Sequence, residues 1–167
     1  MDRAARAIDE WKTQRPDLDG LPMMVFGRLA EAAHAVAHDH LRPFLQASGL
    51  PAGEFDVLAT LRRAEPPHAL TPTALYDATM VTSGAMTGRI DRLEKAGLVQ
   101  RKDDPADRRG TIVALTRKGF TLIDDIITRH VENERRLLAG LSRKEQETLA
   151  NLLGKLIATL PASPSRD

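Results

Sequence analysis

The chain has no cysteine, one tryptophan, one tyrosine and four phenylalanines in 167 residues. Without cysteine there are no disulfides, no thiolate nucleophile, no Cys-based zinc site and no thiol redox switch. No apolar run approaches the ~20 residues that a membrane span needs, and the opening stretch carries acidic residues where a signal peptide would have its apolar core. A cytoplasmic address is the resulting expectation. One-sided charge is missing too: 24 Lys and Arg face 23 Asp and Glu, a formal net of +1. Taken as a total, that balance argues against a nucleic-acid partner. What is present is ordinary for a folded soluble protein, with 42% apolar and 28% charged residues. The length suits one domain with an additional helical layer.

Most of the chain has helical periodicity. Met24, Leu29, Ala33, Val36, Leu41 and Phe44 recur at i, i+3/i+4 spacing and predict one long helix from Leu21 to Leu45, ended at Ser48-Gly49. Phe55, Val57, Leu58 and Leu61 predict a shorter helix to about Arg63, and Pro66-Pro67 forces a loop after it. Thr71-Pro72 is a helix start, with Thr71 as N-cap and Pro72 at the first helical position. A second short helix begins near Thr82-Ser83, carries Met86, Ile90 and Leu93 on one face, and ends at Gly97. Only Thr79-Met80-Val81 separates the two, which makes a helix-turn-helix candidate.

The period then changes. Leu98–Arg101 and Thr111–Leu115 read as strands joined by a long charged tip, and Thr116 is placed to cap the next helix. That helix carries Phe120, Ile123, Ile126, Ile127 and Val131. A last one starts at the capping-box pattern Ser142-Arg143-Lys144-Glu145 and runs through Leu149, Leu152, Leu153, Leu156 and Ile157. From Pro161 the chain reads as a frayed tail.

The expected fold is therefore mainly α with a small β-hairpin wing: a winged helix-turn-helix flanked by N- and C-terminal helices. In residue terms, 1–20 is an extra helix and linker, 21–47 a long helix, 51–118 the winged helix-turn-helix, 119–160 the C-terminal helices and 161–167 a tail. Such a unit puts its second helix in the major groove and its hairpin along the backbone towards the minor groove. Charge position now outweighs the total. Thr82–Lys118 has nine basic and five acidic residues, a net of +4, and the remainder of the chain is −3.

Asp107-Arg108-Arg109-Gly110-Thr111-Ile112-Val113-Ala114-Leu115-Thr116 matches the Asp-x-Arg-(x)5-Leu-Thr wing signature of the MarR family of bacterial transcription regulators. Arg89-Ile90-Asp91-Arg92-Leu93-Glu94-Lys95-Ala96-Gly97-Leu98-Val99 resembles that family's recognition helix running into its first wing strand. The resemblance spans about Leu21 to Leu160 and implies a two-fold dimer made by the first and last helices. Such a dimer reads a palindrome through recognition helices about one DNA turn apart. It also implies roles. Ser83, Ala85, Met86 and Thr87 start the recognition helix, where Thr87 can hydrogen-bond a base edge and Met86 or Ala85 can meet a thymine methyl. Arg109 enters the minor groove with Asp107 orienting it, and Arg92, Lys102 and Arg108 lie where the DNA backbone passes.

A further match concerns a ligand. Arg3–Trp11 reads as an extra N-terminal helix. The urate-responsive, PecS-like branch of the family is marked by a Trp on such a helix, an Asp before the helix-turn-helix, an Arg on the recognition helix and an Arg at the first wing strand. Trp11, Asp56, Arg89 and Arg101 occupy those four positions. A flat anionic purine suits them: a guanidinium forks onto its charge, a carboxylate accepts its ring N–H groups, and an indole packs on its face. The implied function is a DNA-binding repressor released by a small anionic aromatic effector, urate first and phenolic anions second. It has no cofactor and no membrane partner.

Rival readings rest on less. His34 and His38 are i, i+4, His40 follows, and His130 pairs with Glu134 at the same spacing, but a zinc site without cysteine needs these distant helices to converge. No phosphate loop or nucleophile elbow marks an enzyme, and Asp103, Asp104 and Asp107 sit at a wing tip without pocket walls. A helical protein-interaction module is the remaining alternative, opposed by the intact Asp107/Arg109 signature.

Overall fold

The computed structural model describes residues 2–79, 83–105, 107 and 110–161, with Ser83 and Gly84 described by backbone alone. Two compact units divide the chain, Met1–Ile127 and Thr128–Asp167.

In the first unit, helix α1 (Arg3–Gln14) starts at Asp2, whose carboxylate accepts from the Ala5 amide, and buries Ala4 and Ile8. Helix α2 (Gly20–His34) starts on Asp19 in the same way. α1 lies close against α2 because small residues meet there: a Cβ on Gly27 would come within 2.9 Å of the Ala4 side chain, and one on Gly20 within 2.8 Å of Ile8. Arg28 ties the contact down by donating to Asp2.

The single helix expected from Leu21 to Leu45 is interrupted. α2 passes into a π-helical segment, Ala35–Leu41, before α3 (Arg42–Ala47) resumes. Pro43 explains the break: it has no N–H for the carbonyl of Asp39, and its ring crowds that turn, so the ladder widens before α3 begins. Gly49, at φ +72°, then closes the helix as expected.

Helix α4 (Ala52–Arg63) buries Val57, Leu58 and Leu61 completely. Strand β1 (Ala69–Leu70) leads into α5 (Pro72–Ala78), where the Thr71 hydroxyl accepts from the Ala74 amide, the expected cap. Helix α6 (Ser83–Lys95) puts Met86, Ile90 and Leu93 into the same core. The turn between α5 and α6, including Met80 and Val81, and the expected cap at Thr82 lie outside the described residues.

Strands β2 (Val99–Asp103) and β3 (Thr111–Leu115) pair antiparallel with Val99 opposite Leu115 and Asp103 opposite Thr111. The hairpin is not alone, because β1 joins the other edge of β3 to give a three-stranded sheet in the order β1-β3-β2. Two residues are too few to show alternation, so β1 left no sequence signal. The Thr116 hydroxyl accepts from the Gly119 amide at the start of α7 (Arg117–Leu137) and donates to the carbonyl of Gly97 at 2.7 Å. α7 adds Ile123 and Ile126 to the core, and Asp124 accepts from Arg62 of α4 at 2.7 Å.

The second unit holds the end of α7 and helix α8 (Arg143–Thr159), which opens on the reciprocal Ser142/Glu145 capping box. Gln146 bonds back to the carbonyls of Leu138 and Leu141, closing the corner that precedes α8.

Of the described glycines, Gly119 has the closest approach. A Cβ there would stand 1.9 Å from the carbonyl oxygen of Leu98, a backbone atom that cannot rotate away. Gly119→Ala is predicted to lower the unfolding free energy by about 3 kcal/mol, read as a lower urea midpoint at unchanged slope. A wild-type midpoint would contradict this packing.

Candidate nucleic-acid interface and effector residues

α6 presents a buried and an exposed face in its first turns. Ala85 and Thr87 are exposed, as a base-reading face requires. Met86 is not: only 2% of it is accessible, and it packs in the core with Leu75 and Ile90. The expected thymine contact by Met86 is therefore corrected. At this position the helical period turns the thioether inwards, and its apolar chain is worth more in the core than at a polar groove. Beside it, Pro72, Thr73, Tyr76, Met86 and Thr87 surround an open hollow of roughly 310 Å³ between α5 and α6.

The wing carries Lys102 and Asp107 at exposed positions. Its tip is closed by two backbone bonds, from the Asp104 amide to the Gly110 carbonyl and from the Gly110 amide to the Asp107 carbonyl. Arg108 and Arg109 lie outside the described residues, as does the side chain of Ser83.

Two further basic residues of α6 and β2, Arg92 and Arg101, are engaged by carboxylates of the protein itself. Arg101, on β2, binds Asp91 at 2.5 Å and also Glu94, both on α6, and its own amide donates to Glu94 at 2.9 Å. These bonds lash the first wing strand to the recognition helix. The Arg101 guanidinium holds its proton more tightly than usual, chiefly through the Asp91 hydrogen bond and then through Glu94. Glu94 is pushed below the ordinary carboxylate range, first by the Arg101 amide and then by the Arg101 side chain. Arg101 thus already has two anionic partners, and any effector anion must compete with them.

Arg92 donates through Nε to Glu54 of α4 at 2.6 Å, and Glu54 is almost wholly buried. Arg89 lies over α4 as well. A Cβ on Gly53 would come within 2.4 Å of its guanidinium carbon, and Nη1 is buried with no hydrogen-bond partner among the described residues. Asp56 is one turn beyond Gly53 on α4 and exposed, which puts it on the same side of that helix. Trp11 is 44% exposed on α1 and lines a hollow with Glu10 and Gln14, both also on α1. The structure therefore brings Arg89 to α4 and Arg101 to α6. It does not gather Trp11 into the same cluster. Gly53, Glu54, Asp91 and Glu94 were not singled out from sequence. Asp91 and Glu94 at i, i+3 beside a wing arginine were the available signal.

His34, His38 and His130 have local partners. His34 and His38 stack with ring centroids 5.2 Å apart, His38 Nδ1 is 3.0 Å from Asp39, and His130 Nε2 is 3.2 Å from Glu134. Among the described residues, no three His, Asp or Glu side chains converge as a metal site. No helix among them is long and apolar enough to cross a membrane.

Because the folded-state value of Glu94 is depressed, its ties to Arg101 are intact above its ordinary value of 4.5 and are lost as pH falls through the lower, native value. Carboxyl-carbon NMR should show Glu94 titrating below 4.5, and Arg101→Gln should move that titration upwards. An unmoved titration would show that the wing is not tied to α6 through this pair.

Residues 48–110 match the model of the MarR family. The chain is 40% identical over 149 residues to the HTH-type transcriptional regulator PecS of Dickeya dadantii (strain 3937), covering 89% of each. Its fold resembles Sco3205, a MarR family transcriptional regulator from Streptomyces coelicolor solved in complex with DNA, with a TM-score of 0.75, 27% identity and coverage of 90% of this chain and 95% of that one. A mutant MarR from E. coli complexed with operator DNA matches at TM-score 0.69 and 28% identity, over 90% of this chain and 98% of that one. With its helix-turn-helix, its wing and these relatives, the chain belongs to the MarR family of DNA-binding transcriptional regulators, in its PecS-like branch, and is not an enzyme.

Proposed function

We propose that this regulator binds a palindromic operator as a homodimer, acts as a repressor, and is released from DNA by a small anionic aromatic effector, urate. Support for the effector comes above all from Arg89. Its Nη1 is a buried donor without a partner among the described residues, on the helix that carries the exposed Ala85 and Thr87. A buried donor left unmade costs about 1–3 kcal/mol, so an anion that reaches it gains that amount on binding. Asp56 lies across from it on α4 and is the acceptor for ring N–H groups, and Trp11 supplies the only indole in the chain. An effector bound at Arg89 acts on DNA affinity only if it binds the DNA-free geometry better than the DNA-bound one. Drawing Arg89 off Gly53, or Arg101 off Asp91 and Glu94, changes how α6 and β2 are held and supplies that difference.

On the DNA side, Ser83, Ala85 and Thr87 read bases, Lys102 and Arg108 hold phosphates, and Arg109 enters the minor groove with Asp107 orienting it. Support for the dimer comes from apolar side chains that each unit leaves exposed. Leu21 is 67% and Phe26 53% exposed on α2, and Leu152 is 60% and Ile157 70% exposed on α8. Faces of this kind are buried by a second copy in a two-fold assembly.

The test is a gel shift on a duplex that the protein itself selects from a random pool, titrated with urate and with salicylate. Urate should dissolve the shifted band, and Arg89→Ala or Asp56→Ala should raise the urate needed by about tenfold or more, a coupling of about 1.4 kcal/mol. Normal release from both variants would sink the effector mechanism. Release by salicylate alone would replace urate with a phenolic anion.

A further inference from the structure

We propose that Glu54 is a positioning residue for DNA reading, and that Arg92 serves it from within the protein instead of holding a DNA phosphate. The proposal rests on α6 being the base-reading helix. Glu54 sits in the first turn of α4 with its side chain only 9% exposed, whereas that of Arg92 is 64% exposed. Arg92 brings both Nε and Nη2 to the same oxygen, Oε1, at 2.6 Å each. A carboxylate this far from water needs a cation and hydrogen-bond donors, and the pair spans 38 residues of sequence to supply them. For Arg92 to turn its Nε and Nη2 edge onto a phosphate it would have to leave Glu54 buried and unpaired. An exposed phosphate contact, screened by salt, does not offset that.

The neighbouring turn repeats the arrangement. Arg89 precedes Arg92 by one turn of α6, and its guanidinium fills the space that a Cβ on Gly53 would take. Two successive arginines of α6 thus rest on two successive residues of α4, one on a missing side chain and the other on a buried charge. The leverage is large for a short helix. Ser83 lies nine residues before Arg92, about 13 Å along the axis at 1.5 Å per residue, so a tilt of about 5° at Arg92 moves the first turn by about 1 Å. A displacement of that size breaks directional bonds from Thr87 to a base edge.

The test measures equilibrium binding by fluorescence anisotropy, over a series of KCl concentrations, to a duplex selected by the wild-type protein and to poly(dI-dC). The proteins are wild type, Glu54→Gln, Arg92→Gln, the double variant and Arg92→Lys, with circular dichroism melts fixing the folded fraction. Each single Gln variant should weaken the selected duplex by about tenfold. The double variant should be no weaker than the worse single one, poly(dI-dC) affinity and the salt slope should stay at wild type, and Arg92→Lys should recover part of the loss. If Glu54→Gln does not fold, the Arg92 variants decide alone, by slope and by the ratio of the two affinities. The proposal is overturned if Arg92→Gln weakens both DNAs alike and lowers the salt slope by about one per subunit, the mark of a phosphate contact. It is equally overturned if folded variants bind the selected duplex as wild type does. A wild-type protein that selects no duplex would remove the premise that α6 reads DNA, and the proposal with it.

Discussion

The seating of α6 on α4 is the constraint on which the rest of the winged unit depends. A 13-residue helix is marginal on its own in water, so α6 takes its order from its neighbours. Val57, Leu58 and Leu61 of α4 meet Ile90 and Leu93 of α6 in a core from which water is almost fully excluded. At the edge of that core, Gly53 and Glu54 receive Arg89 and Arg92. β2 is then hung on α6 through Arg101, and β3 and β1 follow from β2 by strand pairing. Helix and wing, which must meet DNA together, are thereby held by one set of contacts.

This arrangement changes the meaning of the charge pattern. The segment from Thr82 to Lys118 is basic by four charges in a chain that is nearly neutral. The structure divides its charges into two groups with different work. Asp91, Glu94 and Glu54 neutralise Arg101 and Arg92 internally, which fixes geometry. Lys102, on the exposed part of β2, stands apart from those pairs. On the proposed function, affinity for DNA and rigidity of the reading head draw on different arginines and lysines within one short stretch of sequence.

Most elements were legible because they are announced locally. Thr71-Pro72, the Ser142/Glu145 box, and Gly49 and Gly97 at φ near +70° each satisfy backbone groups within a few residues of themselves. Spacing found the core faces of α4, α6 and α7 for the same reason. What stayed hidden depends on residues far apart in sequence. Pro43 was visible, but how the preceding turn of helix would absorb it was not, and the answer is the π-helical segment. β1 exists only because β3 offers it an edge. Met86 has the helical spacing of a core residue and the position of a DNA contact, and only the packing against Leu75 and Ile90 decides between them. Glu54 in sequence is an acidic residue in a first turn, which reads as favourable to the helix dipole. Its partner lies 38 residues on. The four residues matched to an effector were visible as a pattern, but the engagements of Arg101 with two carboxylates and of Arg89 with Gly53 arise only when α4, α6 and β2 pack together.

In the proposed function, one rigidly coupled helix and wing engage DNA together and do so twice. Chemical footprinting of the wild-type protein on a duplex it selects tests this directly, with dimethyl sulfate reporting the major groove and hydroxyl radicals the minor. Two clusters of major-groove protection are expected about one helical turn apart, each flanked on its outer side by minor-groove protection. A single cluster, or major-groove protection without its minor-groove flank, would contradict that function.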